Sequence, residues 1–273
     1  MNSRKSPILK HFLPSLGICL IASCSLLFIQ CKKYQYDEGL ESDFLEVEEK
    51  NSSVLFHYSS TTSSNSGGTG YTQFTDYLND FDSTDVLLTF TEGSIGGGEN
   101  DTISSANSDA FDVTTTSTFH TNFASGTASS KISSHRNKTT LANASYELDI
   151  TDTKINIKTT TKFFQESTGE TFFLTPYVLV DSIVASQTGH PDGASTNHRK
   201  VAVDVGRIVN FPVRYLGYEV ASGDINAGYQ FNKSFVVQRR PEWTDPDQIS
   251  VALILTKRTP SGAIVFVNAN TNH

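Results

Sequence analysis

Val54-Leu55-Phe56-His57-Tyr58 and Val86-Leu87-Leu88-Thr89-Phe90 are two short apolar runs of β-prone residues, and the stretch between them decides the fold. Ser59 to Gly70 holds only Ser, Thr, Asn and Gly and reads as a loop. Phe74, Tyr77, Leu78 and Phe81 then recur at spacings of three and four, which places an amphipathic helix over 71–81. Strand, loop, helix and strand in that order are the βαβ unit of a parallel sheet.

Upstream, residues 32–50 (KKYQYDEGLESDFLEVEEK) are charged and read as a tether. Before them, Arg4, Lys5, Lys10 and His11 precede a mostly apolar run of 17 residues, Leu13 to Ile29, which is short for a membrane span and broken by Pro14 and Gly17. The chain then turns polar at once. A basic start, an apolar middle and an abrupt polar boundary describe an export signal over 1–31.

Cys24 and Cys31 stand where bacterial lipoprotein signals place the residue that receives lipid. Ile21-Ala22-Ser23-Cys24 has the better small residues, but it would leave Ser25 to Ile29 stranded in the mature chain. Phe28-Ile29-Gln30-Cys31 has an awkward Gln30, yet it ends at the apolar–polar boundary, which favours Cys31 with Cys24 as the alternative. An uncleaved anchor or an ordinary signal peptide is the competing reading. Acylation would make membrane lipid a partner, because several acyl chains on one Cys hold a protein stably.

Sulfur and charge exclude whole classes of function. The 3 cysteines are Cys19, Cys24 and Cys31, and none follows, so disulfides, Cys-zinc sites and thiolate catalysis are excluded for the body. Without Arg4, Lys5 and Lys10, the 21 Lys and Arg fall to 18 against 29 Asp and Glu, a balance of −11. A body this acidic is not a nucleic-acid binder.

Residues 93–134 are rich in Gly, Ser and Thr, and read as loops with one helix and one strand. From Tyr146 the period changes to two. Tyr146, Leu148 and Ile150 alternate with Glu147 and Asp149, and Ile155 and Ile157 follow a Thr151-Asp152-Thr153 turn, a half-buried antiparallel hairpin. Further strands are expected at 172–174, 177–185, 201–205, 235–238, 251–256 and 263–268, the last two joined by a turn with Pro260, Ser261 and Gly262. Short strands without a helix argue for a β-sandwich.

In this order of parts the chain resembles the outer-membrane lipoproteins of Gram-negative bacteria related to the twenty-eight-kilodalton outer membrane protein. The resemblance is carried by Tyr177 to Gln187 (YVLVDSIVASQ), by Thr196-Asn197-His198-Arg199-Lys200-Val201, where one of the family's two histidines is present, and by the Val251–Ala269 hairpin. It implies an α+β chain: a thioredoxin-like α/β domain over 51–142, followed by an antiparallel immunoglobulin-like sandwich over 143–273. The front domain is degenerate. Where a thioredoxin fold carries Cys-x-x-Cys, this chain has Thr61 to Gly70, and no proline occurs between Pro14 and Pro176 to face it. Thiol–disulfide exchange is thereby excluded.

Few residues suggest a site. The 61–70 loop leads into a helix N-terminus, which attracts anions, but it lacks the Lys and spacing of a phosphate loop. Gly93 to Gly98 is glycine-rich, yet Glu99 and Asp101 follow it and would repel phosphate. His190 and His198, with Asp181 and Asp192, form the one conceivable N/O metal set, without the spacing of a zinc site; a structural role is the plainer reading. Asp80, Asp82 and Asp85 lack the Gly and closing Glu of a calcium loop. Trp243, the only tryptophan, either stacks on a ligand or plugs one end of the sandwich, and burial is favoured. No nucleophile elbow follows a strand.

The sequence therefore points to a non-catalytic, lipid-anchored protein of the outer membrane or cell surface, with no cofactor, no metal and no catalytic residue expected. Its body would bind a protein or glycan partner through residues such as His190, His198 and Trp243. A carbohydrate-binding module using Trp243 or Tyr215 is the first alternative, and a hydrolase with a carboxylate and a His is the second.

Overall fold

A computed structural model describes residues 43–81, 85–93, 95–111, 118–124, 127–259 and 261–271. The leader, with Cys24 and Cys31, lies outside the described residues, as do Asp82 and Pro260. Gly39–His273 forms one compact unit.

The front of the chain follows the pattern of its apolar residues. Strand β1 (Val54–Ser60) leads through a single π-type turn, Ser66–Gly70, into helix α1 (Tyr71–Phe81), and strand β2 (Val86–Glu92) returns parallel to β1 with Val54 opposite Val86. Phe74 and Leu78 are the buried residues of α1, one turn apart, as the 3.6 period requires. Helix α2 (Asn100–Phe111), strand β3 (Thr118–Thr121) and helix α3 (Ala128–Arg136) follow, and β3 pairs antiparallel with β1. Two helices therefore stand where the sequence suggests one. The buried stripe of α2 is Asn100, Ile103, Ser104 and Asn107. It has helical spacing but a single apolar residue, so hydrophobic periodicity cannot reveal it.

The rear is built of strands β4 (Ala142–Ile150), β5 (Lys154–Phe163), β6 (Ser167–Val180), β7 (Ile183–Ala185), β8 (Thr196–His198), β9 (Val201–Val205), β10 (Tyr218–Ile225), β11 (Gln230–Gln238), β12 (Ile249–Arg258) and β13 (Ile264–Asn270). The expected hairpin is β4 and β5, with Leu148 opposite Ile157 and Ile150 opposite Ile155. The two runs expected at 172–174 and 177–185 are one strand plus β7: β6 continues through Pro176. A proline is tolerated there because β6 changes neighbours at that point, from β10 (Leu174 opposite Tyr218) to β9 (Tyr177 opposite Val205). Strand β10 escapes the sequence because register shifts at Glu219/Ala221 and Gly223/Ile225 break its period of two.

One large mixed sheet runs β13-β12-β6-β9-β2-β1-β3, with β10 also on β6. Its front and rear parts join where β2 meets β9 in parallel at Thr89 and Val201, and the Thr89 amide donates to the Lys200 carbonyl at 2.7 Å. The boundary expected at 142/143 falls inside the compact unit, because strands from both sides of it share this sheet.

Side chains alternate across the sheet. Phe172, Leu174, Val178 and Val180 of β6, with Val251, Leu253 and Leu255 of β12, pack against a smaller sheet of order β11-β5-β4 through Tyr146, Ile155, Ile157, Phe235 and Val237. Tyr177 and Leu179 of β6 and Ala252 and Ile254 of β12 face the other way, into one cluster with Phe56, Tyr58, Leu88 and Phe90 of the front strands and Ile103 of α2. Helices α1 and α3 cover the remaining face of β1 and β2 through Phe74, Leu78, Ala128 and Ile132, packed on Leu55 and Leu87.

This shared core predicts joint unfolding. Ile254→Ala should cost about 2–5 kcal/mol. Far-ultraviolet ellipticity and the fluorescence of Trp243, which sits in the other cluster, should lose signal at the same temperature. Two separated transitions would show that front and rear fold as independent bodies.

Candidate functional site

The loop at 61–70 is filled by the chain itself. Gln187 is buried just beyond β7, and its side-chain Nε2 lies 3.1 Å from the Ser60 carbonyl, 3.0 Å from that of Ser63, 3.2 Å from that of Thr188 and 3.4 Å from that of Thr61. The Thr188 amide adds a 2.9 Å bond to the Thr61 carbonyl. The two loops touch so closely that a Cβ on Gly67 would lie 2.2 Å from the Thr188 oxygen. Gly189 has φ +83, and a Cβ there would meet the Ser64 oxygen at 2.5 Å. Glycine is required at both positions for closeness, and at Gly189 also for backbone conformation. Inside the turn, the Ser60 amide donates to Ser66 Oγ at 3.2 Å.

Beside this clasp runs a groove of about 430 Å³ lined by Gly67, Tyr71, Thr75, Asp76 and His190. The His190 ring meets the Tyr71 ring edge-on, 4.2 Å between centroids, and its Nδ1 accepts from the Asp192 amide at 3.1 Å. The tautomer compatible with that bond carries its proton on Nε2. His190 Nδ1 is 3.8 Å from the Asp192 carboxylate, beyond hydrogen-bond reach, so the pair is no acid–base dyad in this arrangement.

The other residues of the conceivable metal set do not gather with His190. Asp181 is gripped by Arg199 through two bonds of 2.9 and 3.0 Å and approached by Lys200 Nζ at 3.9 Å. Burial pushes its carboxyl up, but these cations and their bonds outweigh it and hold it below the ordinary carboxylate range. His198 is buried with an unpartnered Nε2, and burial lowers its pKa, opposed by a bond to the Ala185 carbonyl and assisted by His190. No group of three or more metal-ligating side chains occurs among the described residues. Asp85, from the acidic set, is buried, accepts from the Ser53 amide at 2.8 Å and is paired with Arg136. It ties β2 to α3 and the start of β1.

Trp243 is 2% exposed, and its indole N–H donates to the Gly96 carbonyl at 2.5 Å. A ring this covered cannot stack on a sugar, so Trp243 is corrected from a possible binding residue to a plug in the sandwich core. It forms one wall of a cleft of about 470 Å³, shared with Gly97, Ile183, Val184, Glu242 and Asp245. Tyr215, the other ring considered for stacking, is half-buried and donates to Glu99 at 2.7 Å. Glu99 also pairs with Arg207, which reaches Asp204 at 3.1 Å, so this network fastens the start of α2 to the end of β9.

Of the histidines and carboxylates singled out for a metal set, His190 borders the groove beside the clasp. Gln187 was visible there as the residue closing a strand, but nothing local announces that it reaches back some 125 positions to fasten the turn after β1.

His57, unremarked in the sequence, is fully covered. It is stacked between Phe74 at 4.8 Å and Phe119 at 4.7 Å, with its Nε2 unpartnered. Burial, reinforced by His198, lowers its pKa to about 3. His135 is lowered to about 4 by burial and Lys138, against the pull of Asp85.

No family model matches the chain, and no curated protein matches it by sequence. Among solved structures, the chain is similar to HBP35 of Porphyromonas gingivalis at 12% identity and a TM-score of 0.63, covering 83% of this chain and 76% of that one. That likeness shows a shared fold, a mixed α/β chain made mostly of strands. A domain of the outer membrane lipoprotein Omp28 from the same organism also matches, at 13% identity over 47% of this chain and 89% of that domain, with a TM-score of 0.26.

The clasp and the buried histidines can each be tested. Gln187→Glu keeps the shape but turns a donor into an acceptor among carbonyl oxygens. It should lower stability by at least about 1–3 kcal/mol and expose 61–70 to protease, and stability within about 0.5 kcal/mol of wild type would contradict the clasp. The histidines predict acid sensitivity. A folded-state pKa below the unfolded value of about 6.5 gives stability that is complete above pH 6.5 and is lost as pH falls toward the folded value. Chemical denaturation between pH 6.5 and 4.5 should show His57→Phe flattening the loss by about 1.4 kcal/mol per pH unit, and an unchanged slope would refute the buried neutral imidazole.

Proposed function

We propose that the chain is a lipid-anchored cell-envelope protein of a Gram-negative bacterium, facing the outer membrane or the cell surface, whose body is a non-catalytic binding or structural module. The front α/β segment is read as a thioredoxin-like fold that has lost its chemistry, and the rear as an immunoglobulin-like sandwich. The observation that carries this reading is the Gln187 clasp. The turn after β1, where a thioredoxin fold keeps its reactive thiols, holds hydroxyl, amide and glycine residues here and is covered by 187–189. The leader supplies the address, with Cys31, or alternatively Cys24, taking the lipid. The fold shared with HBP35 supports the architecture.

The glycan reading loses its main ring with the burial of Trp243, and the hydrolase reading loses its His–carboxylate contact at His190 and Asp192. The groove beside His190 is the proposed place for a partner. The full-length chain, expressed in Gram-negative cells with labelled palmitate, should carry the label and fractionate with membranes. Changing Cys24 and Cys31 together to Ala should remove the label and release the protein, whereas a double variant still held in the membrane would sink the lipid anchor.

A further inference from the structure

The connection between β9 and β10 opens with an apolar turn that the fold holds out into solvent. Val209 is 65% exposed and Phe211 61%, with exposed Pro212 beside them. Their exposure belongs to a braced turn. The Phe211 amide donates to the Ile208 carbonyl at 3.0 Å, Asn210 takes φ +67, and the Tyr218 hydroxyl holds the Pro212 carbonyl at 2.9 Å. At its base, Arg207 and Val236 of β11 exchange both backbone bonds, at 3.0 and 2.9 Å, and Ile208 packs on the core. Two apolar side chains on a fixed support are an interaction surface.

We propose that Val209 and Phe211 dip into the phospholipid surface to which the chain is anchored, and so set the orientation of the body on it. This rests on the lipid anchor proposed above. The described chain begins on the same strand that supports the turn: the Asp43 carbonyl accepts from Asn232 of β11 at 3.3 Å, four residues before Val236. Four strand residues span only about 13 Å. Cys31 precedes Asp43 by 12 residues, a reach of at most about 40 Å. An acyl chain there therefore holds a lipid surface within range of the turn, and Cys24 only lengthens the leash.

Charge and size agree. Arg214 is exposed three residues beyond Phe211. A cation this near the apolar tip in the chain would meet lipid phosphates. Two side chains are far too few for a stable protein interface of about 800 Å² on each partner, whereas a small apolar tip suffices as a second signal beside an acyl anchor.

The test places a reporter at the tip. Full-length Phe211→Trp protein, purified from membranes, is reconstituted into vesicles of phosphatidylethanolamine and phosphatidylglycerol carrying brominated acyl chains. Val184→Trp, at an equally exposed apolar site on β7, serves as control, and wild-type protein supplies the Trp243 background. The expected result is emission from Trp at 211 that shifts to shorter wavelength and is quenched by bromine, with the control unquenched. Water-like, unquenched emission at 211 in protein that carries palmitate overturns the tip while leaving the anchor standing, and directs attention to a protein partner. Equal quenching at both sites also overturns it. Quenching at 211 in protein that fractionates with membranes yet carries no palmitate supports the tip and removes the anchor.

Discussion

A strand enclosed by layers on both sides has to be apolar on both faces, and β6 meets that demand over nine successive buried residues, Phe172 to Val180. Its even-numbered side chains close the sandwich with β4, β5 and β11, while Tyr177 and Leu179 turn toward the front strands and α2. Every other part of the body is placed relative to this strand: β12 pairs along it without a register shift, β9 carries it to β2, and β10 takes the edge that Pro176 cedes. The Tyr177 hydroxyl shows how tightly front and rear are tied. It donates to Asn107 of α2 at 3.2 Å and lies 2.9 Å from the Tyr215 carbonyl, so one side chain joins helix, central strand and rear loop.

That shared sheet makes the clasp possible. Because β9 lies beside β2, the segment between β6 and β9 is carried back across the turn that follows β1, and Gln187 arrives among the carbonyls of Ser60, Thr61 and Ser63. A thiol pair at this turn would need access to a partner's disulfide. In this chain the turn is spent on holding the fold together, and the histidines nearby, His57 and His198, are kept neutral and enclosed. That enclosure is what the non-catalytic module proposed above requires, and the groove beside His190 and the Val209–Phe211 turn are among its open surfaces.

What could be read from the chain depended on whether burial was apolar and regular. Phe74, Tyr77, Leu78 and Phe81 announced α1, and Leu148, Ile150, Ile155 and Ile157 announced the β4–β5 hairpin. Helix α2 stayed hidden because its buried stripe is polar, with Asn100 bonded to the Gly93 carbonyl at 2.7 Å and Asn107 to Tyr177, and Ser104 buried beside them. Strand β10 was masked by its bulges, and β6 was split on paper by Pro176. The size of Trp243 favoured a plug, yet the ring gave no sign that its N–H would find Gly96. Pairings such as Gln187 with Ser60 and Ser63 belong to tertiary structure, and no spacing rule contains them.

The central claim is that front and rear are one body built on one sheet. Native-state hydrogen exchange of the full chain under rising denaturant tests it most directly. Amides of β1 and β2 should converge on the same opening free energy as those of β6 and β12, and removing the clasp should leave that convergence in place. If β1 and β2 exchange through an opening of lower free energy while β6 and β12 stay protected, the two halves are separate folds in contact, and the single-body architecture is wrong.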